Sequence, residues 1–455
     1  AALTLGSAKL KVDGNVGTPG DALHYELDVD KLADLRSLVA HHAGLPVPEV
    51  LAGAVHVHGS CTSEPGGSGI NLDLSANALR WGPNIALTTL AAKTTIGAGG
   101  LTLDAAANAA RSFAIDVAAT GVHVPQGELA TASASVTGTL AHHTATFAFK
   151  GDDIDTQVRA TGGIPSRTGA TAARAPPRWA GTLEQLTNHG TYALTLEAPT
   201  PIEWGAGLLH IGTARVAVAD GHADLADFLW DNGRITTRGA FGGIPAMAIA
   251  RLAGTKLPLA TTLVIGGDWT LAANPRLNGM LRVFRERGDI FGTDVLSPNH
   301  ADLALGVTAL TVDARFVDDG VDATAALRSL RAGNADARLT VVAPANASAG
   351  HVARNAVVTA SLTADLDSLK PLQPWLSTTA VLDGSAHVEL AARGTLDALK
   401  LTGTFRGDDV RVDLPQYGVN LTQGRLRAHV ADERVVLDEL TFTGGEGHFT
   451  AQGTL

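Results

Sequence analysis

Apolar and polar side chains alternate along most of this chain. The pattern is clear near the end of the sequence, where Arg411 and Asp413 separate Val410, Val412 and Leu414. Side chains on a β-strand point to opposite faces in turn, so a period of two is typical of strands with one apolar and one polar face. Short turns rich in Gly, Asp and Asn recur between these runs. The sequence therefore predicts an all-β, mainly antiparallel fold.

Four stretches interrupt the alternation and favour short helices. The spacing of their apolar residues predicts helices at Asp30–His42, Ala223–Trp230, Pro245–Leu252 and Asp365–Leu376. Asp30 is a suitable N-cap for the first of these, because its carboxylate can accept hydrogen bonds from the free amides of a first helical turn. We therefore expect helices to be few and brief beside the strands.

Composition and pattern divide the chain into three strand-rich sections and one loop. The first section, at 1–161, has one helix, and a Pro- and Arg-rich loop or linker follows at 162–178. The second section, at 179–364, has short helices, and the third occupies 365–455. The loop is expected because its three prolines lack the amide donor that a strand interior requires.

Two parts of the sequence resemble one another. The segment Asp28–Leu35 is similar to Asp365–Leu372, and the matching segments Val50–Val57 and Val381–Val388 follow them in the same order. A helix before a set of strands, used twice, is what a stacked repeat array contains. The similarity is also compatible with a duplicated domain, so both interpretations stay open.

Composition and charge narrow the classes of function. Aromatic residues make up 4% and charged residues 17% of the chain, which favours thin curved sheets because aromatic residues dominate thick cores. The net charge of −11 argues against binding nucleic acid or lying flat on an anionic membrane. The single Cys61 excludes an intramolecular disulfide, and no apolar run is long enough for a membrane-spanning helix. Because strand-like patterns reach both ends, we expect a piece of a longer protein.

Two groups of residues have part of the composition of a metal site. His56 and His58 share a face of a predicted strand with Cys61 close behind, but a zinc site needs three or four ligands. Asp152 and Asp153 begin a calcium-like turn that lacks the distal Glu of an EF-hand, which favours an ordinary hairpin. The glycine-rich runs lack the Lys-Ser/Thr ending of a phosphate loop, and no nucleophile elbow is present. We therefore expect no enzyme activity, no metal and no cofactor.

The final segment carries a characteristic order of glycines, apolar positions and turns. It runs through Gly384, Gly394-Thr-Leu396, Leu401-Thr-Gly403, Val410, Val412, Leu414-Pro415, Tyr417-Gly418, Leu421, Gly424, Leu440, Gly444-Gly445-Glu-Gly447 and Gly453-Thr-Leu455. Similar phrases begin at Trp179-Ala-Gly-Thr-Leu183 and Gly267-Asp-Trp269. In this order of residues the chain resembles the TamB family, the inner-membrane-anchored half of the translocation and assembly module of Gram-negative bacteria, and more widely the AsmA-like proteins.

The resemblance implies both a fold and a location. The family fold is an elongated, curved antiparallel sheet that forms a trough, or β-taco, with a hydrophobic interior and a few short helices. The chain would then be a middle fragment of a periplasmic protein. Its inner-membrane anchor, and its contact with an outer-membrane barrel partner, would lie in parts absent from this sequence.

The resemblance also implies that an apolar groove carries phospholipid between the inner and outer membranes. The residues expected to contact acyl chains are the inward-facing apolar side chains Leu72, Leu74, Phe147, Phe149, Val410, Val412, Leu426 and Val430. Burying a methylene group stabilises it by about 0.8 kcal/mol, so a continuous apolar path lowers the barrier to moving a lipid. One alternative is a scaffold that delivers outer-membrane proteins or autotransporters to the barrel partner through exposed sheet edges. A third hypothesis, an adhesin or carbohydrate-binding protein, requires aromatic-lined polar sites.

Overall fold

A computed structural model describes the chain at residues 1–35, 50–99, 110–125, 127–165, 178–191, 193–252, 260–291, 304–344, 354–373, 380–431 and 434–454. Long antiparallel strands dominate these residues. The predicted fold class, an all-β protein with a few short helices, is therefore confirmed. The chain divides into two compact units, Ala1–Val218 and Ala219–Leu455.

The first unit is mainly a β-meander. Its strands are β1 (Ala2–Leu5), β2 (Ala8–Gly14), β3 (Ala22–Val29), β4 (Leu51–Glu64), β5 (Gly67–Trp81), β6 (Ile85–Ile96), β7 (Ser112–Val124), β8 (Gly127–Thr139), β9 (His143–Lys150), β10 (Asp155–Gly163), β11 (Trp179–Asn188), β12 (Leu194–Leu196), β13 (Thr200–Gly205), β14 (Leu208–Ile211) and β15 (Ala214–Val218). From β1 to β11, each strand pairs antiparallel with the next strand in the chain. The order changes at β11, which pairs with both β12 and β13, while β12 pairs with β15.

The second unit repeats this connectivity. Its strands are β16 (Gly221–Asp231), β17 (Arg234–Pro245), β18 (Ala260–Thr261), β19 (Val264–Ala273), β20 (Leu277–Arg287), β21 (Ile290–Phe291), β22 (Val307–Val317), β23 (Gly320–Ser329), β24 (Gly333–Val342), β25 (Val357–Leu366), β26 (Val381–Thr395), β27 (Ala398–Leu414), β28 (Val419–Ala431), β29 (Arg434–Gly444) and β30 (Gly447–Thr454), and the helix α1 (Ala246–Leu252) follows β17. β18 and β21 form a separate two-stranded sheet. The other strands pair antiparallel in chain order from β16 to β30.

The two predicted helices of the middle section have opposite outcomes. The helix predicted at Pro245–Leu252 is confirmed by α1. The helix predicted at Ala223–Trp230 is wrong, because these residues belong to β16. The register between β16 and β17 shifts between Leu225 and Asp227. A β-bulge adds one residue to a strand, so the apolar positions around it no longer alternate strictly and imitate helical spacing.

The first and last predicted helices are represented by short 3₁₀ turns. In the first, a turn covers Leu32–Leu35, and residues 36–42 lie outside the described part of the chain. In the last, the opening residues through Leu366 still belong to β25, and a turn follows at Lys370–Leu372. Residues 374–376 lie outside the described part of the chain.

The predicted division into sections remains a prediction. The two compact units meet within the predicted section 179–364 rather than at one of its ends. Gly162 and Gly163 of the predicted loop continue strand β10, and residues 166–177 lie outside the described residues.

Buried side chains are few among the described residues, and many of them are small. One cluster in the second unit is formed by Leu305, Val307 and Ala332, with Leu327 and Leu372 packed against it. Most apolar side chains on the long strands are instead half-buried. Their partial burial contributes to stability along the whole sheet rather than at one compact centre.

Candidate functional site

Strand register decides which side chains share a face of the first unit. Residues directly opposite each other in an antiparallel pair project to the same face. Leu74 of β5 lies opposite Val57 of β4, and both are half-buried. Beyond β5 the row of apolar residues continues across four more strands through Ala92, Val117, Ala134 and Phe147. The alternation in sequence therefore becomes a continuous apolar row across the sheet.

The other two predicted lining residues of this unit lie in the flanking rows of the same face. Leu72 begins a row that continues through Thr94, Ile115, Val136 and Ala145. Phe149 ends a row that begins with Ala76, Leu90, Ala119 and Ala132. The structure thus brings Leu72, Leu74, Phe147 and Phe149 onto one face, which we call the first apolar face. Their contact with lipid stays a prediction.

The second unit has a corresponding row. Val430 of β28 lies opposite Gly403 of β27, and the row continues through Leu390, Leu362, Ala337, Ala325 and Val312 on the preceding strands. Leu426 lies on the same face, opposite Gly407, and so do Val410 and Val412, opposite Gly424 and Leu421. Val410 and Val430 are buried, whereas Val412 and Leu426 are half-buried. We call this the second apolar face.

A groove of about 510 Å³ lies on the second apolar face across β22–β27. Its apolar lining consists of Val312, Ala323, Ala325, Ala337, Leu339, Ala360, Leu362, Leu390, Ala391, Ala392 and Leu401. Leu339 and Leu401 are 39% and 44% exposed, so the groove is open to solvent. Its volume is within the range of small-molecule sites, roughly 300–1,000 Å³. Arg338 also borders it, and its guanidinium is paired with Asp322 at 3.2 Å.

The residues that the sequence suggested for this unit lie on the second apolar face but outside the groove. The described groove lining does not include Val410, Val412, Leu426 or Val430. The groove is lined instead where small residues alternate with polar ones, as at Ala323-Thr-Ala325, Ala335-Asp-Ala337-Arg-Leu339 and Ala360-Ser-Leu362. Alanine leaves space between leucines, so runs of alternating Ala and polar residues were the available signal.

The opposite face of the first unit carries charged side chains in cross-strand pairs. Lys11 Nζ lies 2.9 Å from Glu26 Oε2, and Asp73 contacts both His58 at 3.5 Å and Lys93 at 3.7 Å. The hydrogen bond to Glu26 and the charge of that carboxylate raise the pKa of Lys11. Exposed pairs of this kind stabilise a protein little, and here they keep one face of the sheet hydrated.

The side chains weighed as metal ligands are not brought together. His56 Nδ1 lies 2.8 Å from Asp28 Oδ1 on the charged face. Cys61 lies opposite Leu23 and Ile70, on the apolar face, so it cannot share a metal ion with the two histidines. Among the described residues, no group of three or more His, Cys, Asp or Glu side chains could hold a metal ion.

The acidic turn near Asp153 belongs to the β9–β10 hairpin. The Gly151 amide donates to the Ile154 carbonyl at 2.7 Å, which closes the turn. Asp153 Oδ1 accepts a hydrogen bond from the Thr191 hydroxyl at 2.6 Å. These contacts agree with the interpretation of this Gly-Asp-Asp sequence as a hairpin turn.

Comparison with protein-family models, with curated proteins and with solved structures gives no match. Among the described residues, no helix has the length and apolar character needed to cross a bilayer.

Proposed function

We propose that this chain is a periplasmic segment of a TamB-like conduit that carries phospholipid between the inner and outer membranes. Acyl chains would contact the apolar faces, and the rest of the inner-membrane-anchored protein would supply the attachment to each membrane. The single observation that supports this most is the apolar face of β22–β28, which is continuous in register and open at the groove.

A lipid can move along an apolar surface easily only if that surface is continuous. Each methylene moved from water to an apolar surface gains about 0.8 kcal/mol, and a binding site that ended after a few strands would hold the chain in place. The row from Val312 to Val430 presents an apolar side chain or a glycine at each strand, and no charged residue. A lipid can then move from strand to strand without a large change in free energy.

The open groove favours a flexible apolar ligand over a rigid polar one. Its lining is mostly alanine and leucine, and the Arg338 charge that borders it is compensated by Asp322. An acyl chain needs no hydrogen-bond partners and can follow the uneven floor that these residues make. A sugar or a nucleotide would leave polar groups unpaired there.

One variant pair tests this proposal. Leu362→Arg places a charge in the groove, whereas Thr363→Arg places the same charge at the next position, which is exposed and projects to the opposite face. Native mass spectrometry of the purified chain should find phospholipid bound to the wild type and to Thr363→Arg but not to Leu362→Arg. Far-UV circular dichroism verifies that both variants keep the strand content. Equal lipid binding by all three proteins would contradict the proposal.

A scaffold for outer-membrane proteins is the second candidate, and one observation favours it. Among the described strands, β30 pairs on one side only, and its Phe449 is 49% exposed. An extended client segment can add to such an edge. A photo-crosslinking residue at Leu339 should capture lipid if the conduit is right, and one at Phe449 should capture polypeptide if the scaffold is right.

A further inference from the structure

The two similar parts of the sequence fold in the same way, one in each unit. In the first unit β3 ends at Val29, a 3₁₀ turn covers Leu32–Leu35, and the hairpin β4–β5 follows. In the second unit β25 ends at Leu366, a 3₁₀ turn covers Lys370–Leu372, and the hairpin β26–β27 follows. The described elements therefore occur in the same order and are of the same types.

The two hairpins also correspond residue by residue. The turn of the first joins Glu64 to Gly67 and that of the second joins Thr395 to Ala398, with the same two-residue separation. Counted back from these turns, Leu51, Gly53, His56 and Val57 stand at positions equivalent to Leu382, Gly384, His387 and Val388, with identical residues at each. The histidines use the same atom for the same contact, since each Nδ1 is paired with Oδ1 of the aspartate directly opposite on the preceding strand.

Both hairpins carry an irregularity at the same position. The register shifts at Gly53 in the first and at Gly384 in the second. These glycines have φ angles of 119° and 116°, and the facing residues Ala78 and Asp409 each have a φ of 50°. A positive φ is unfavourable for Ala and Asp because their Cβ atom approaches the backbone carbonyl. We call each pair of residues, Gly53 with Ala78 and Gly384 with Asp409, a crease.

Close backbone contact explains why one side of each crease is glycine. A Cβ atom added at Gly53 would lie 2.8 Å from the Asn77 carbonyl oxygen. One added at Gly384 would lie 2.8 Å from the Asp409 carbonyl oxygen. A bulge of this type bends its strand and increases the local twist.

We infer that the two units are built on two copies of one structural module, a creased hairpin, and that the crease is a strained device that fixes where each hairpin bends. This inference goes beyond the proposed function and does not depend on what the apolar faces bind. Strained backbone of this kind persists only where the surrounding structure requires it. Its presence at equivalent positions in both modules is the reason to assign it a role.

The experiment compares Gly with Ala at each left-handed position. Both Ala78 and Asp409 are exposed, so the comparison involves little loss of buried surface. In the first module, Ala78→Gly is compared with the wild type. In the second, Asp409→Gly is compared with Asp409→Ala, because both variants lose the ion pair with Arg411. Thermal unfolding of the whole chain gives the midpoint for each protein, and amide hydrogen exchange assigns the change to its hairpin.

We expect Gly to give the higher midpoint at both creases, with increased protection from exchange in the hairpin concerned. The control is Ala91→Gly, an exposed strand position of β6 outside the crease, where Gly should lower the midpoint. Gly53→Ala and Gly384→Ala should each reduce exchange protection in their own hairpin or prevent folding. If Gly is not favoured at both creases, or if only one module responds, the inference of two equivalent modules is overturned.

Discussion

The two creased hairpins have the same backbone plan but present different apolar surfaces. In the first, the Tyr25 ring lies over Gly59, and its hydroxyl donates to the Asn71 carbonyl at 3.2 Å. At equivalent positions in the second, Leu362 and Leu390 lie side by side and line the open groove. One backbone plan can therefore carry a covered or an open apolar row, depending on the two side chains at these positions.

An aromatic ring directly across from a glycine recurs in this protein. The Trp269 ring covers Gly239 in the second unit, and the Phe442 ring covers Gly424. A ring laid over a glycine shields backbone that has no side chain of its own and helps to hold the register. Burial of the Tyr25 ring also raises the pKa of its phenol. The Tyr25 ring therefore stabilises the first module by covering the backbone at Gly59.

The largest expected effect comes from giving the first module the residue of the second. Gly59→Leu places a side chain where the Asn71 carbonyl and the Tyr25 ring already are. We expect a loss of about 2–3 kcal/mol in the free energy of unfolding, as is typical of overpacking. Urea denaturation measures this change.

A double variant tests whether the Tyr25 ring is what makes a leucine unfavourable at Gly59. Tyr25→Leu combined with Gly59→Leu removes the ring and reproduces the leucine pair of the second module. We expect it to be more stable than Gly59→Leu alone, and to bind more of a fluorescent apolar dye than the wild type. A single Gly59→Leu variant as stable as the wild type would show that the covered row is not required.

A smaller effect is expected from shortening a groove leucine. Leu362→Ala removes half-buried apolar surface, for which we expect a cost of about 1–2 kcal/mol, less than that of a fully buried leucine. The neighbouring Thr363→Ala is the matched control, with an expected change within about 0.5 kcal/mol because the position is exposed. Urea denaturation measures both changes. Equal losses of unfolding free energy in the two variants would mean that Leu362 packs no better than a surface residue.

The smallest expected effect is on pH dependence, and it concerns the histidine of the second module. His387 lies between Asp365, 2.6 Å from Nδ1, and Glu389, 3.3 Å from Nε2. The hydrogen bond to Asp365, and then that to Glu389, raises the pKa of His387. Its contribution to stability is therefore complete below the ordinary histidine pKa and is lost as the pH rises through the folded value.

The measurement is the thermal midpoint as a function of pH. Between about pH 6 and pH 8 the midpoint of the wild type should fall more than that of His387→Gln, because Gln does not titrate in this range. The shift should be small, since the pair is at the surface and screened by solvent. Identical pH profiles for the two proteins would show that His387 is not the source of the pH dependence of the midpoint.

The sequence predicted well wherever alternation was strict. Because β5–β9 have no register shift between them along the row, the alternation that marks Leu74 and Phe147 as apolar positions is kept across the strands, and both lie on one face. The prediction failed at β16, where the bulge after Leu225 hides the period of two. The groove was missed because alternating alanines give only a weak hydrophobic signal in the sequence. The space that these small side chains leave becomes a groove only when neighbouring strands place them side by side. Tyr25 covers Gly59 because β3 pairs with β4 in this register, and no local sequence pattern predicts that pairing.

The chain-order pairing of the strands has a consequence for biosynthesis. From β1 to β11, and again from β22 to β30, each strand finds its partner in the segment made just before it. Contacts that are local in sequence close small loops and form quickly. A chain emerging from the ribosome or from a secretion pore can therefore add strands to a growing sheet in order of synthesis. Newly made apolar side chains can be buried against the preceding strand before distant segments have been made.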